Sequence, residues 1–278
     1  LNEPDARLGV CSIPSLTREP VSVDVDAPGT GRIQVGPAMS PRGLQPGTPV
    51  GEPLIITIDG PARSGKSSTA ERLARDLGVY LLNTGVMYRA VAAEAIDAGL
   101  DPSDHAGVEA LARKMDMDFD YSTNPPVLLV YGKPYVRELR KGKIEDMVSA
   151  YSAIPGVRAI LVKRQAEIGK RLGRVVCEGR DQGSVVFPDA TVKFYLHAST
   201  PERARRWIGE LRRAGENPTQ IELERKIDAR DASDKRPDKV GRLIQPPDAI
   251  DVDSTSRTLE EVVLFMITHV REAARKRS

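Results

Sequence analysis

The run IITIDGPARSGKSST at residues 55–69 limits what this chain can fold into more than any other stretch. Ile55, Ile56, Thr57 and Ile58 are β-branched, as in a parallel strand buried on both faces. Gly60 to Ser67 then fit G-x-x-x-x-G-K-[ST] without a mismatch. The following residues predict an amphipathic helix from Ser67 to Leu77, with Ala70, Leu73, Ala74 and Leu77 on one face and Arg72, Arg75 and Asp76 on the other. Strand, glycine loop and helix in that order make a phosphate-binding loop. Gly60 and Gly65 let the backbone curl until its N–H groups point inward, and the helix start adds its positive dipole end. Pro61, Ala62, Arg63, Ser64 and Ser68 complete the cradle, Lys66 reaches the β- and γ-phosphates, and the Ser67 hydroxyl is the candidate Mg²⁺ ligand. Asp59, just before the loop, has two readings: orienting a Mg²⁺-bound water, or capping the loop's own amides.

From Leu54 onward strands and helices alternate, which predicts an α/β fold with a five-stranded, doubly wound parallel sheet. The expected strands are the loop strand, Val79–Leu82, Arg174–Glu178, Thr191–His197 and Ala249–Val252, with a helix at Val86–Ala98. Between the second and third strands the texture changes. Met117–Tyr121 and Val127–Val136 read as antiparallel strands with turns at Asn124-Pro125-Pro126 and Gly132-Lys133-Pro134, a small inserted hairpin subdomain. Ser199 with Glu202 and Thr219 with Glu222 have capping-box spacing and predict two helices separated by Gly215; a last helix starts at Thr258.

Residues 1–53 are rich in Pro and Gly without sustained periodicity and are read as a disordered tail, with one domain over 54–278. The first methionine is Met39, so translation is expected to start nearer that residue. Cys11 and Cys177 lie far apart, which fits a reduced, cytoplasmic protein without a disulfide. Neither a membrane-length apolar run nor a signal peptide is expected. A net charge of +2 is too small to imply a nucleic-acid partner, although basic residues crowd the stretch 203–242. That cluster suits either solvated helix faces or a polyanionic substrate.

Several further segments resemble the bacterial cytidylate kinase family, a branch of the nucleoside monophosphate kinases. NTGVMYR (83–89) resembles D-S-G-x-x-Y-R, and VYGKPYVRELR (130–140) is similar to the family's inserted hairpin. SAYSAIPGVRAILVKRQ (149–165) is similar to S-x-x-A-x-x-P-x-V-R-x-x-L-x-x-x-Q, CEGRDQGSVVFPDA (177–190) to D-G-R-D-x-G-T-V-V-F-P-x-A, and RDASD (230–234) to R-D-x-x-D. The resemblance runs from Leu54 to Arg275 and implies a P-loop kinase with ATP and Mg²⁺, a nucleotide-binding insert over 117–165 and a helical lid over 200–240. It implies CMP or dCMP as acceptor, no stable nucleic-acid or membrane partner, and a monomer.

Such a reaction needs charge neutralisation and alignment more than a base, because a nucleotide monophosphate has a second pKa near 6 and is largely ionised at neutral pH. His105, His197 and His269 are accordingly read as structural or surface residues. Arg89, Arg180 and Arg230 are the candidate clamps on the phosphates, since a planar guanidinium binds phosphate in a bidentate way; Thr84 and Tyr88 add hydroxyl donors. The resemblance implies that Ser149, Arg158 and Asp181 recognise cytosine, and that Asp234 with Arg230 binds the sugar. Three departures stand out: Asn83 and Glu178 replace aspartates, and Pro237 takes the place of an arginine that Arg236 or Arg242 would have to supply. The rival readings are another small-molecule kinase, acting on UMP, AMP or a sugar-like acid, and a nucleotide-sensing or RNA-binding protein. Only 4% of residues are aromatic and Trp207 stands alone, which argues against base stacking on the basic helices.

Overall fold

A computed structural model describes residues 52–277 apart from 138, 140, 141, 214 and 237–242. The tail up to residue 51, with Cys11 and Met39, and also Pro237 and Arg242, lie outside the described residues.

Five strands form one parallel sheet: β1 (Leu54–Asp59), β2 (Tyr80–Asn83), β6 (Arg174–Gly179), β7 (Val192–His197) and β8 (Ile250–Asp253), in the spatial order β2-β6-β1-β7-β8. Both faces are covered, so the strands read as near-continuous apolar runs, and period-two alternation sends neighbours to opposite cores. Leu54, Ile56, Ile58, Val176 and Phe194 join one cluster, against α1 (Lys66–Leu77) and α8 (Leu259–Arg277). Val175, Cys177 and Leu82 join the other, against α2 (Thr84–Asp97) and α5 (Pro155–Leu172). Because α1 carries the chain from β1 over β6 to β2, and β7 lies on the other side of β1, the sheet order reverses at β1. That switch point puts the phosphate loop, the start of α2 and the end of β6 at one carboxyl edge.

The insert is larger than a hairpin. It contains α3 (His105–Lys114), strands β3 (Met117–Asp120), β4 (Val127–Val130) and β5 (Lys133–Pro134), and helix α4 (Gly142–Ser152) leading into α5. The three strands make a separate antiparallel sheet. Its tight turn falls at Tyr131-Gly132, one residue earlier than the Gly132-Lys133-Pro134 pattern predicts. Both turn residues have positive φ (53° and 72°), the mirror-image turn that matches strand twist in two-residue hairpins, and Lys133 and Pro134 are thereby freed to pair as β5.

The remaining pair, α6 (Thr200–Arg213) and α7 (Gln220–Lys235), packs through Ala204, Leu223 and Ile227, with Trp207, Ile208 and Leu211 at the margin. Helix α7 starts with a complete Thr219–Glu222 capping box. At α6 only half of one forms: Ser199 Oγ accepts the Glu202 amide at 3.4 Å, while the Glu202 carboxylate turns to Arg205 and Arg206. Among the described residues no helix is long and apolar enough to cross a membrane.

Candidate active site

At the carboxyl edge lies a cleft of about 560 Å³, lined by the phosphate loop, the starts of α1 and α2, the end of β6, and residues of α4 to α7. Gly60 has φ 152°, and a Cβ there would stand 2.0 Å from the Leu196 carbonyl, so the chain turns off β1 at a point only glycine can occupy. Lys66 folds back to donate to the Pro61 carbonyl at 2.6 Å, and Ser67 donates to the Glu178 carboxylate at 2.8 Å. Burial pushes the Lys66 ammonium down to about 8, against the opposing pull of Glu178.

Asp59 does not cap the amides of its own loop. Its two carboxylate oxygens accept the amides of Gln182 (2.8 Å) and Gly183 (2.7 Å), fastening the π-helical turn Gln182–Val186 beneath the end of β6. Burial raises its pKa to about 7, with those two amide bonds pulling the other way. It thus acts as an anchor for the segment that presents Arg180 and Asp181.

The side of the cleft facing the phosphate loop is built from paired and clustered charges. Arg158, buried on α5, forms an ion pair with buried Asp181, and its guanidinium lies over the Tyr88 ring, 5.4 Å from the centroid. Arg180 pairs with Asp234 of α7. Burial, and then the neighbouring Arg230 and Arg89, lower the Arg180 pKa to about 9. Burial pushes the Tyr88 phenol up to about 12, so it stays a hydrogen-bond donor at neutral pH. Ser149 of α4 lines the same cleft. Among the described lining residues nine are Lys or Arg and four Asp or Glu, a surplus suited to two phosphate-bearing ligands.

Two sequence expectations meet a different geometry. The Thr84 hydroxyl, at the start of α2, donates to the Glu178 carbonyl at 2.8 Å and accepts from Gln182 Nε2 at 3.3 Å, so it is committed to joining α2 to β6. Arg236, the C-cap of α7, is exposed and does not line the cleft. Arg205, Arg206 and Arg213 of α6 do line it; they belong to the basic stretch that the sequence leaves open between solvated faces and a polyanion site, because a basic helix face looks the same whether it meets solvent or a ligand. Glu178 was visible only as a departure; its register partner on β2 is Asn83, the other one, so the two substitutions lie side by side at the sheet edge. None of the three histidines lines the cleft: His197 pairs with Asp251 at 2.9 Å, and His269 bonds the Phe265 carbonyl. A second recess of about 500 Å³ adjoins the loop, between Ser64, Ser68 and Arg206 and the segment 254–259.

Comparison by sequence with a family profile and with curated relatives gives one family. The profile of the family described as "Cytidylate kinase" matches residues 56–272. A cytidylate kinase of Geobacter sp. (strain M21) is 42% identical over 219 residues, covering 79% of this chain and 93% of the relative. That of Limosilactobacillus reuteri (strain DSM 20016) is 39% identical over 211 residues (76% and 92%), and that of Roseiflexus castenholzii 40% over 231 residues (79% and 94%). A profile match over most of the domain, together with relatives near 40% identity along almost their whole length, means that this chain belongs to the cytidylate kinase family.

Proposed function

We infer that the protein transfers the γ-phosphoryl group of ATP to CMP or dCMP, giving ADP and CDP or dCDP. The observation that carries this reading is the shared cleft: a phosphate loop faces the buried Arg158–Asp181 pair, with the Arg89, Arg180 and Arg230 guanidiniums also lining it. ATP phosphates rest on the loop amides and Lys66, and the donor base and ribose fill the recess between Arg206 and residues 254–259. The acceptor phosphate arrives ionised, so no side chain need remove a proton. Arg89, Arg180 and Arg230 hold the two phosphate groups in line and offset the charge that develops between them.

Ser67 and Glu178 offer a hydroxyl and a carboxylate 2.8 Å apart, with the buried Asn83 Oδ1 lacking a hydrogen-bond partner on the adjacent strand; this all-oxygen set fits Mg²⁺. Bound Mg²⁺ would neutralise phosphate charge, and Ser67 with Glu178 would hold it there. Arg158 and Ser149 donate to cytosine O2 and N3, while Asp181 accepts from the exocyclic amine. Uracil has a carbonyl in that position and meets the same carboxylate lone pair to lone pair. Asp234 and Arg230 serve the sugar, with Asp234 also steadying Arg180. We take the protein to act as a monomer over 54–278, with α6 and α7 as lid, in a reducing cytoplasm that suits the free, buried Cys177.

A turnover panel over CMP, dCMP, UMP and AMP tests this: CMP and dCMP should be consumed at least about tenfold more efficiently than UMP, and Asp181→Ala should erode that preference. Equal rates on UMP or AMP would point to a different kinase on this scaffold. Tight RNA binding without CMP-dependent ATP consumption would point to the non-enzymatic alternative.

A further inference from the structure

Loop residues 62–64 are each tied to one stripe of α6. Arg203 Nη1 donates to the Ala62 carbonyl at 3.3 Å, and Arg206 Nη1 donates to the Ser64 carbonyl at 3.3 Å. Between them, the Arg63 guanidinium lies 4.5 Å from the centre of the Trp207 ring and forms an ion pair with Glu210. Positions 203, 206, 207 and 210 recur at the spacing of a single helix face, so α6 is seated on the phosphate loop along about two turns. Arg63 is the only side chain of the loop that reaches outward in this way among the described contacts. It does so from left-handed backbone (φ 63°), a conformation that costs a non-glycine residue free energy and that glycine would adopt without strain. The motif demands no particular residue at that position. Arg63 also lines the cleft, together with Arg205, Arg206 and Arg213.

We propose that Arg63 is a positioning residue: through Trp207 and Glu210 it holds α6 on the phosphate loop, so that the α6 arginines are already aimed at the donor phosphates when ATP enters. The role deepens the kinase reading and rests on it for its purpose, though not for its detection. Arg203 is held independently by Asp231 (2.6 Å) and Arg206 by the Ser254 carbonyl (2.6 Å), which leaves Arg63 as the link from the loop to the third turn of α6. The effect should therefore fall on donor affinity and leave the acceptor side alone.

Trp207 is the sole tryptophan of the chain, so its fluorescence reports this contact without turnover. In the full-length protein, Arg63→Gly and Glu210→Gln should each increase acrylamide quenching of Trp207 and raise the KM for ATP by about threefold to tenfold, a larger factor than any change in kcat at saturating ATP or in the KM for CMP. The double variant should be no worse than either single one, and Arg63→Lys should recover part of the loss. Arg63→Gly relieves the left-handed backbone, so its melting temperature should not fall, which separates the effect from misfolding. Unchanged quenching and unchanged ATP affinity in Arg63→Gly, or additive losses in the double variant, would overturn the proposal. If the parent failed to turn over CMP, the kinase reading would fall, while Trp207 quenching and ATP binding by calorimetry would still decide whether Arg63 makes this link.

Discussion

On the donor side of the cleft the contacts that shape the site run largely to backbone atoms, whereas on the acceptor side they run between charged side chains. Lys66, Arg203 and Arg206 donate to the carbonyls of Pro61, Ala62 and Ser64, so the loop keeps its shape through the main chain. Across the cleft, Arg158 answers Asp181 and Arg180 answers Asp234, with both carboxylates buried. A backbone-built site loses a function when a side chain is cut back but keeps its architecture. A site made of buried ion pairs loses both, because the surviving partner is left charged and unsolvated.

Lys66→Ala is the strongest way to test that contrast. It should lower kcat by about 10²–10³-fold, the scale on which one transition-state donor acts, with no fall in melting temperature, since it also removes the charging penalty of a buried ammonium. Arg180→Ala should lower turnover by about 10²-fold and also strand Asp234. The pair is partly solvated, since Arg180 is 26% exposed, so the stability loss should be about 2–3 kcal/mol, below that of a fully buried pair. Equal melting temperatures for these two variants, measured calorimetrically, would erase the distinction between the halves.

Next in size is a pH effect confined to the donor side. Free Lys66 has its pKa lowered to about 8 from 10.5, chiefly by burial, so it is an ammonium below that pH and a neutral amine above it. Since phosphate binds the ammonium, kcat/KM for ATP should fall toward tenfold per pH unit above about 8. Stability moves the other way. A lysine whose folded pKa is depressed carries a charging penalty at lower pH, and that penalty is relieved as pH rises from about 8 toward 10.5. Donor efficiency and this residue's contribution to stability should therefore diverge over the same window; a flat profile for ATP with a sloping one for CMP would contradict the assignment.

How much of this was legible in the sequence follows from the same contrast. The phosphate loop is contiguous, its glycines and lysine are fixed by backbone geometry, and the five sheet strands fall at the predicted positions to within a residue. Arg180 could be read as a site residue because it follows a strand end at a carboxyl edge, and Asp181 through the resemblance of its segment to the family. The pairings could not. That Asp59 would hold the amides of Gln182 and Gly183 depends on β1 lying next to β6, and that Thr84 would be spent on Glu178 depends on the β2–β6 register. Helices α3 and α4 were given no bounds because the strand-like runs at 117–136 drew the whole insert toward a hairpin, although Asp104 caps α3 by accepting the Gly107 amide at 2.9 Å. Arg236 was offered by its nearness in sequence to the vacated arginine position, but the last turn of α7 leaves it in solvent.

The smallest effect separates how α6 and α7 are held. Helix α7 secures its own start: Thr219 Oγ1 accepts the Glu222 amide at 3.3 Å while Glu222 accepts the Thr219 amide at 2.9 Å. Helix α6 has spent its Glu202 on Arg205 and Arg206, and draws its hold from the phosphate loop and from the bond of Arg206 to Ser254. Thr219→Ala should therefore cost about 1 kcal/mol, a fall of roughly 2–4 °C in melting temperature for a domain of this size. Ser199→Ala, which removes a single long bond, should cost less than half as much. Because α7 carries Arg230 and Asp234, the Thr219→Ala loss should also appear as a weaker apparent affinity for CMP with that for ATP unchanged. Were Ser199→Ala the more damaging of the two, α6 would depend on its own cap after all, and the loop contacts at Ala62, Arg63 and Ser64 would be too weak to hold it.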